Sequence, residues 1–69
     1  MKLFDVVALS HDLPKHGLVQ GQVGTAVEQL APDVFEVEFA DLTGRAYAMM
    51  ALKADDVMIL HHDRMLQAA

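Results

Sequence analysis

Residues 35–39, FEVEF, alternate without a break: Phe35, Val37 and Phe39 fall on one face and Glu36 and Glu38 on the other. Successive side chains of an extended strand point to opposite faces, so this segment buries one face and wets the other, whereas a helix would scatter its apolar residues. One half-buried strand is not stable alone and has to pair with others, so the neighbouring segments decide what the chain can become. LFDVVAL (3–9) is rich in β-branched and large apolar residues and reads as a first strand. SHDLPKHGLVQGQ follows, broken by Pro14, Gly17 and Gly21, and reads as a long surface loop. VGTAVEQL (23–30) is the second strand, and APDV is the turn into FEVEF, because Pro32 fixes φ at the value a turn needs.

After FEVEF, ADLTGR reads as a hairpin turn formed by Asp41 and Gly44, and AYAMMAL (46–52) as a fourth strand. Ala, Met and Leu are strong helix formers, but the segment between the turn signals is short for a helix and suits a strand. KADDV is expected to make a short turn of the tighter 3-10 type before a fifth strand, VMIL (57–60). The fold class expected is therefore all-β: a small, five-stranded, antiparallel SH3-like barrel, as a single domain over 1–61 with a short C-terminal tail over 62–69. An OB-type barrel needs a longer chain and a helix between its third and fourth strands, and ADLTGR has no room for one. The expected core is Val7, Leu9, Val23, Val27, Phe35, Val37, Phe39 and Ile59.

Two resemblances follow from this layout. Gly21-Gln-Val-Gly24 followed by a strand ending Val37-Glu38-Phe39 resembles the KOW-type motif, which builds the first half of SH3-like barrels in ribosomal proteins, elongation factors and nitrile hydratase β subunits. The glycines are there to let the chain turn tightly and then bend without side-chain collision. Ala26 stands where that motif usually carries a larger residue, so the corner is expected to be loose or filled by a neighbour such as Met49. LFDVVAL, Asp12-Leu13-Pro14 with His16-Gly17-Leu18, GQVGT, FEVEF and DDVMIL together are similar to a family of short bacterial proteins, the domain of unknown function DUF4926. That likeness implies a stand-alone small β-barrel and carries no activity, cofactor or catalytic residue with it.

Composition narrows the function classes. With 69 residues and no cysteine, neither disulfides nor thiolate metal sites can hold the fold. The apolar fraction is 54%, carried by Ala, Val, Leu and Met rather than by aromatics, so part of it is expected on a surface that another chain covers. The net charge of −5 opposes phosphate binding and suits docking on a basic protein surface. No segment reaches the roughly 18 apolar residues of a membrane span, and Asp5 interrupts the short apolar start, so no signal peptide is read and the expected location is cytoplasmic.

The chemistry-bearing residues are sparse. His11 and His16 flank Pro14 and could meet with Asp12 in a mixed nitrogen and oxygen metal site, while adjacent His61 and His62 would point to opposite faces. No ligand spacing supports a metal, and the histidines are read as solvated. Asp5, Glu36 and Glu38 are read as solvated strand carboxylates, Asp55 and Asp56 as turn caps, and Arg45 as a surface partner of Asp41 or Glu38. No catalytic residue, cofactor or metal is expected, and the chain is read as a non-enzyme.

AYAMMAL is the informative departure from alternation. Ala48, Met50 and Leu52 share one face and Tyr47, Met49 and Ala51 the other, and both are apolar, as in a strand buried on both sides. In so thin a domain the second side is expected to be an interface, with the tail residues Met65 and Leu66 as the alternative cover. The expected contact residues are Leu13, Pro14, His16, Leu18 and Val19 of the first loop with Tyr47, Met49, Met50 and Leu52. The expected function is a protein-interaction module, akin to an immunity protein or antitoxin, for a second copy or a basic partner. A KOW-like nucleic-acid or ribosome-associated module is the alternative, and it requires Lys2, Lys15, Arg45, Lys53 and Arg64 to meet on one face.

Overall fold

The alternating segment becomes the third strand of a computed structural model that describes residues 1–60. In chain order the strands are β1 (Val6–Leu9), β2 (Val23–Ala31), β3 (Val34–Ala40), β4 (Ala46–Lys53) and β5 (Val57–Ile59), with single 3-10 turns at Pro14–His16 and Ala54–Asp56. They form one antiparallel sheet ordered β4-β3-β2-β1-β5. Four of the strands and the 3-10 turn before the last one stand within a residue of where the sequence places them, whereas β1 is shorter than the expected 3–9 because Leu3 and Phe4 form a turn, Phe4 at φ +70°. Among the described residues the ladder is not closed: β4 and β5 are its two edges. The tail expected over 62–69, with His61, lies outside the described residues.

The core lies on one face of the sheet. Phe35, Val37 and Phe39 are buried, as their alternation requires, together with Val7, Leu9, Leu18, Ala26, Met50, Leu52 and Val57. Full burial of a side chain such as Phe39 contributes about 1.5–3 kcal/mol, and no described polar side chain is left buried without a hydrogen-bond partner.

Three expected core positions need correction. Val23 is 48% exposed, Val27 only half-buried, and Ile59 packs at the margin of the core. The face of β2 that turns inward is the other one, carrying Gly24 and Ala26, and the register explains the choice. Gly24 lies opposite Phe39 and Ala26 opposite Val37, so the large residues of β3 fill the interior and β2 supplies the small ones. A Cβ on Gly24 would stand 2.8 Å from Val37 Cγ1, 2.9 Å from the Glu38 carbonyl oxygen and 2.9 Å from Phe39 Cδ1. The corner at Ala26 is therefore filled from β3 and not by Met49, which points outward at 52% exposure. Gly21 serves differently: its φ of +90° has open space around it and favours glycine for conformation alone.

The turns are held by short polar side chains. Asp41 Oδ1 accepts from Thr43 N (2.9 Å), Thr43 Oγ1 (2.6 Å) and Arg45 N (3.1 Å), which closes the β3–β4 hairpin before Gly44 at φ +85°. Asp56 Oδ2 accepts from Lys53 N at 2.9 Å across the second 3-10 turn.

Candidate functional site

The long first loop is ordered by contacts that a local reading of the sequence does not supply. Leu13 and Leu18 pair in an isolated antiparallel bridge around the Pro14–His16 turn, which Gly17 closes in the left-handed conformation. Asp12 Oδ1 accepts from Gln20 N at 2.8 Å. The loop is tied to the other end of the chain by His11, whose Nε2 lies 2.9 Å from Asp56 Oδ1 while Nδ1 lies 2.9 Å from the Asp12 carbonyl oxygen.

Both neighbours of that imidazole are acceptors when Asp56 is ionised, so each ring nitrogen has to carry a proton. The Asp56 hydrogen bond first, and the Asp12 carbonyl second, hold the His11 pKa above its ordinary value of 6.5. The Lys53 N–H, followed by His11, holds Asp56 below the usual carboxylate value. In this geometry His11 has no free lone pair for a metal or for proton abstraction, and the pair acts as a latch between loop and turn. Among the described residues it is the only ion pair. Arg45 gives Asp41 its backbone N–H and not its guanidinium. Asp5 accepts from Lys2 N at 2.7 Å, holding an N-terminal turn in which Phe4 has φ +70° and is 69% exposed.

The candidate surface is the outer face of the sheet, opposite the core. Register aligns Met49, Glu38, Thr25 and Val6 in one row across four strands. In a second row Ala51 lies beside Glu36 and Glu36 beside Glu28. A bulge after Ala26 shifts the phase of β2, so that Ala26 faces in and Glu28 faces out with Glu36. Glu28, Glu36 and Glu38 are thus neighbours on one face, and like charges directly opposite one another are unfavourable. Tyr47, Met49, Val6 and Val23 are 40–55% exposed around them.

The structure divides the expected contact residues. Pro14, His16, Val19, Tyr47 and Met49 are exposed, and Leu13 is partly buried. Leu18, Met50 and Leu52 are core residues at 3%, 9% and 5% exposure and are not available to a partner. β4 is buried on one face only, because its inner side chains complete the core beneath Phe35, Val37 and Phe39. The exposed remainder of the two segments is joined by Gln22, whose Nε2 donates to Tyr47 Oη (3.2 Å) and whose Oε1 accepts from Val19 N (2.6 Å). Gln22 was legible only as the residue after Gly21. Val6, Val23 and Met58, also exposed, were missed because an isolated strand pattern does not say which apolar face turns inward.

Among the described residues there is no group of three side chains able to hold a metal, and no helix is long and apolar enough to cross a membrane. The model of the domain of unknown function DUF4926 matches residues 3–59. Neither a curated protein nor a solved structure matches the chain.

Proposed function

The chain belongs to the DUF4926 family, and from the chemistry of its outer face we propose that it is a non-enzymatic protein-interaction module whose partner is basic. The observation that carries this reading is the group Glu28, Glu36 and Glu38, side by side on the sheet without a cationic partner among the described residues and bordered by exposed Met49, Tyr47 and Val6. Carboxylates without cationic partners, bordered by exposed apolar side chains, gain charge neutralisation and apolar burial together when a cationic surface covers them. The net charge of −5 steers such an encounter. The reading takes the open sheet as SH3-like, on its strand order and its last 3-10 turn, and takes its setting as the bacterial cytoplasm, where it would mask a basic protein as immunity proteins and antitoxins do.

The nucleic-acid alternative gains no support from cation placement. Arg45 and Lys53 stand at opposite ends of β4, and Lys15 sits in the first loop.

The test is purification of the native complex followed by surface variants. The double variant Glu36→Lys and Glu38→Lys is expected to lose a co-purifying basic protein by at least tenfold while keeping its melting temperature. Equal binding by the variant sinks the charge reading. Tight RNA binding that weakens steeply with salt replaces it with the alternative.

A further inference from the structure

Among the described residues β4 is an edge strand, and its middle carries none of the usual protection. Natural edges are blunted by charges, proline or bulges. From Ala48 to Leu52 β4 has no charged residue and no proline, and its irregularity lies before this run, where the register shifts beside Ala46. The backbone groups that the edge offers follow from the ladder. Ala54 N–H donates to the Asp33 carbonyl, and the register continues as Lys53 with Val34, Leu52 with Phe35 and Ala51 with Glu36. Hydrogen-bonded and non-hydrogen-bonded pairs alternate in an antiparallel ladder. Leu52, Met50 and Ala48 therefore bond to β3, and the N–H and C=O of Met49 and Ala51 point away from it. Lys53 obeys the same alternation: its N–H turns from β3 to the Asp56 carboxylate.

We infer that β4 is completed by an extended segment of the partner, added at Met49 and Ala51, with an arginine or lysine opposite Ala51. This inference rests on the interaction reading and specifies how the partner is held. Adding a strand satisfies the open backbone groups, and alternate side chains then supply specificity. Next to Ala51 lies Glu36, and next to Glu36 lies Glu28. A residue opposite Ala51 in the added strand is two strand spacings from Glu36, about 10 Å between backbones, and the methyl group of Ala51 leaves that path open to a long cationic side chain. Opposite Met49, beside Glu38, a second basic or apolar residue fits in the same way. A second copy of this chain fits worse: two β4 edges would bring both sets of carboxylates to one face, with Lys53 the one cation that β4 carries.

The test is amide hydrogen exchange, residue by residue, on the full chain alone and with two synthetic peptides, one alternating arginine with valine and one alternating glutamate with valine. In the free protein the Met49 and Ala51 amides are expected to exchange fast between slow Met50 and Leu52. The arginine peptide slows Met49 and Ala51 at least tenfold, and the glutamate peptide does not. Ala51→Pro, which removes the outward N–H and fixes φ, abolishes the slowing at Met49, and Ala51→Arg, which fills the slot and keeps that N–H, abolishes it at both positions. The second guards against a loss due to misfolding. Protection already present in the free chain assigns the edge to this chain's own residues if it is independent of concentration, and to a second copy if it grows with concentration. Either result overturns the inference, as does an arginine peptide that leaves both amides fast. A native partner that is lost with the Glu36 and Glu38 variant but leaves these amides fast removes strand addition and keeps the interaction reading.

Discussion

Replacing Gly24 by alanine is expected to destabilise the protein although the new group is a single methyl in a strand that alanine can enter. The added Cβ would meet Val37 Cγ1 at 2.8 Å, the Glu38 carbonyl oxygen at 2.9 Å and Phe39 Cδ1 at 2.9 Å. The valine methyl and the phenyl ring belong to side chains that are fully buried, and the carbonyl is backbone, so none of the three can swing away. Overpacking of this kind costs about 1–3 kcal/mol, and the lower backbone entropy of alanine in the unfolded chain returns about 0.4–1 kcal/mol. The middle of each range leaves a loss of about 1.3 kcal/mol, or roughly 5–10 °C in melting temperature for a domain of this size. Urea or thermal unfolding followed by circular dichroism reads it directly. Gly21→Ala is the matched control: nothing lies within 4 Å of its Cβ, and its cost comes from φ +90° alone. A double-mutant cycle separates the two mechanisms. Val37→Ala should be less than additive with Gly24→Ala, since it removes one of the three contacts, and additive with Gly21→Ala. A Gly24→Ala protein as stable as its parent, or full additivity with Val37→Ala, refutes the close-approach explanation.

Methionines one residue apart should behave oppositely. Met50→Asp puts a charge among Val37, Leu52 and Phe39 and is expected to unfold the chain, whereas Met49→Asp, on the exposed face, should stay within about 0.5 kcal/mol of the parent in the same unfolding assay. The latch has a pH signature. His11 has a raised folded pKa, so its contribution is full below 6.5 and is lost as pH rises through the folded value. Asp56 has a lowered one, so its contribution is present above 3.8 and is lost as pH falls through the folded value. Urea midpoints measured across neutrality should therefore decline on the alkaline side of 6.5 in the parent and lose that arm in His11→Gln; an unchanged profile in the variant rules out the latch. Asp41→Ala should speed amide exchange at Thr43 and Arg45, and Asp41→Asn, which keeps an acceptor oxygen, should largely restore it.

Much of the architecture was readable because it is local. The FEVEF alternation, the Pro32 turn, the Asp41 and Gly44 hairpin and the short turn at 54–56 each rest on periodicity or on the conformation of one or two residues. The turn at Gly21 is local in the same way, whereas the close approach at Gly24 is to β3 and lies beyond a local reading. The candidate surface was half readable. Doubly apolar β4 pointed to an uncovered face, and Tyr47 and Met49 are on it, but Met50 and Leu52 belong to the inner face and Leu18 to the core.

What the sequence determined by itself is the set of strands, their turns and the fact that β4 has apolar residues to spare. Only the tertiary structure decided which face of β2 turns inward, because that depends on volumes matched across strands: Gly24 and Ala26 yield space to Phe39 and Val37, and Val23 is left outside. It also decided the pairing of His11 with Asp56, 45 residues apart, the bridge from Val19 through Gln22 to Tyr47, and the grouping of Glu28, Glu36 and Glu38. Each of these joins residues that the ladder brings together, and a one-residue shift in register or a single bulge would have sent the same side chains to the opposite face.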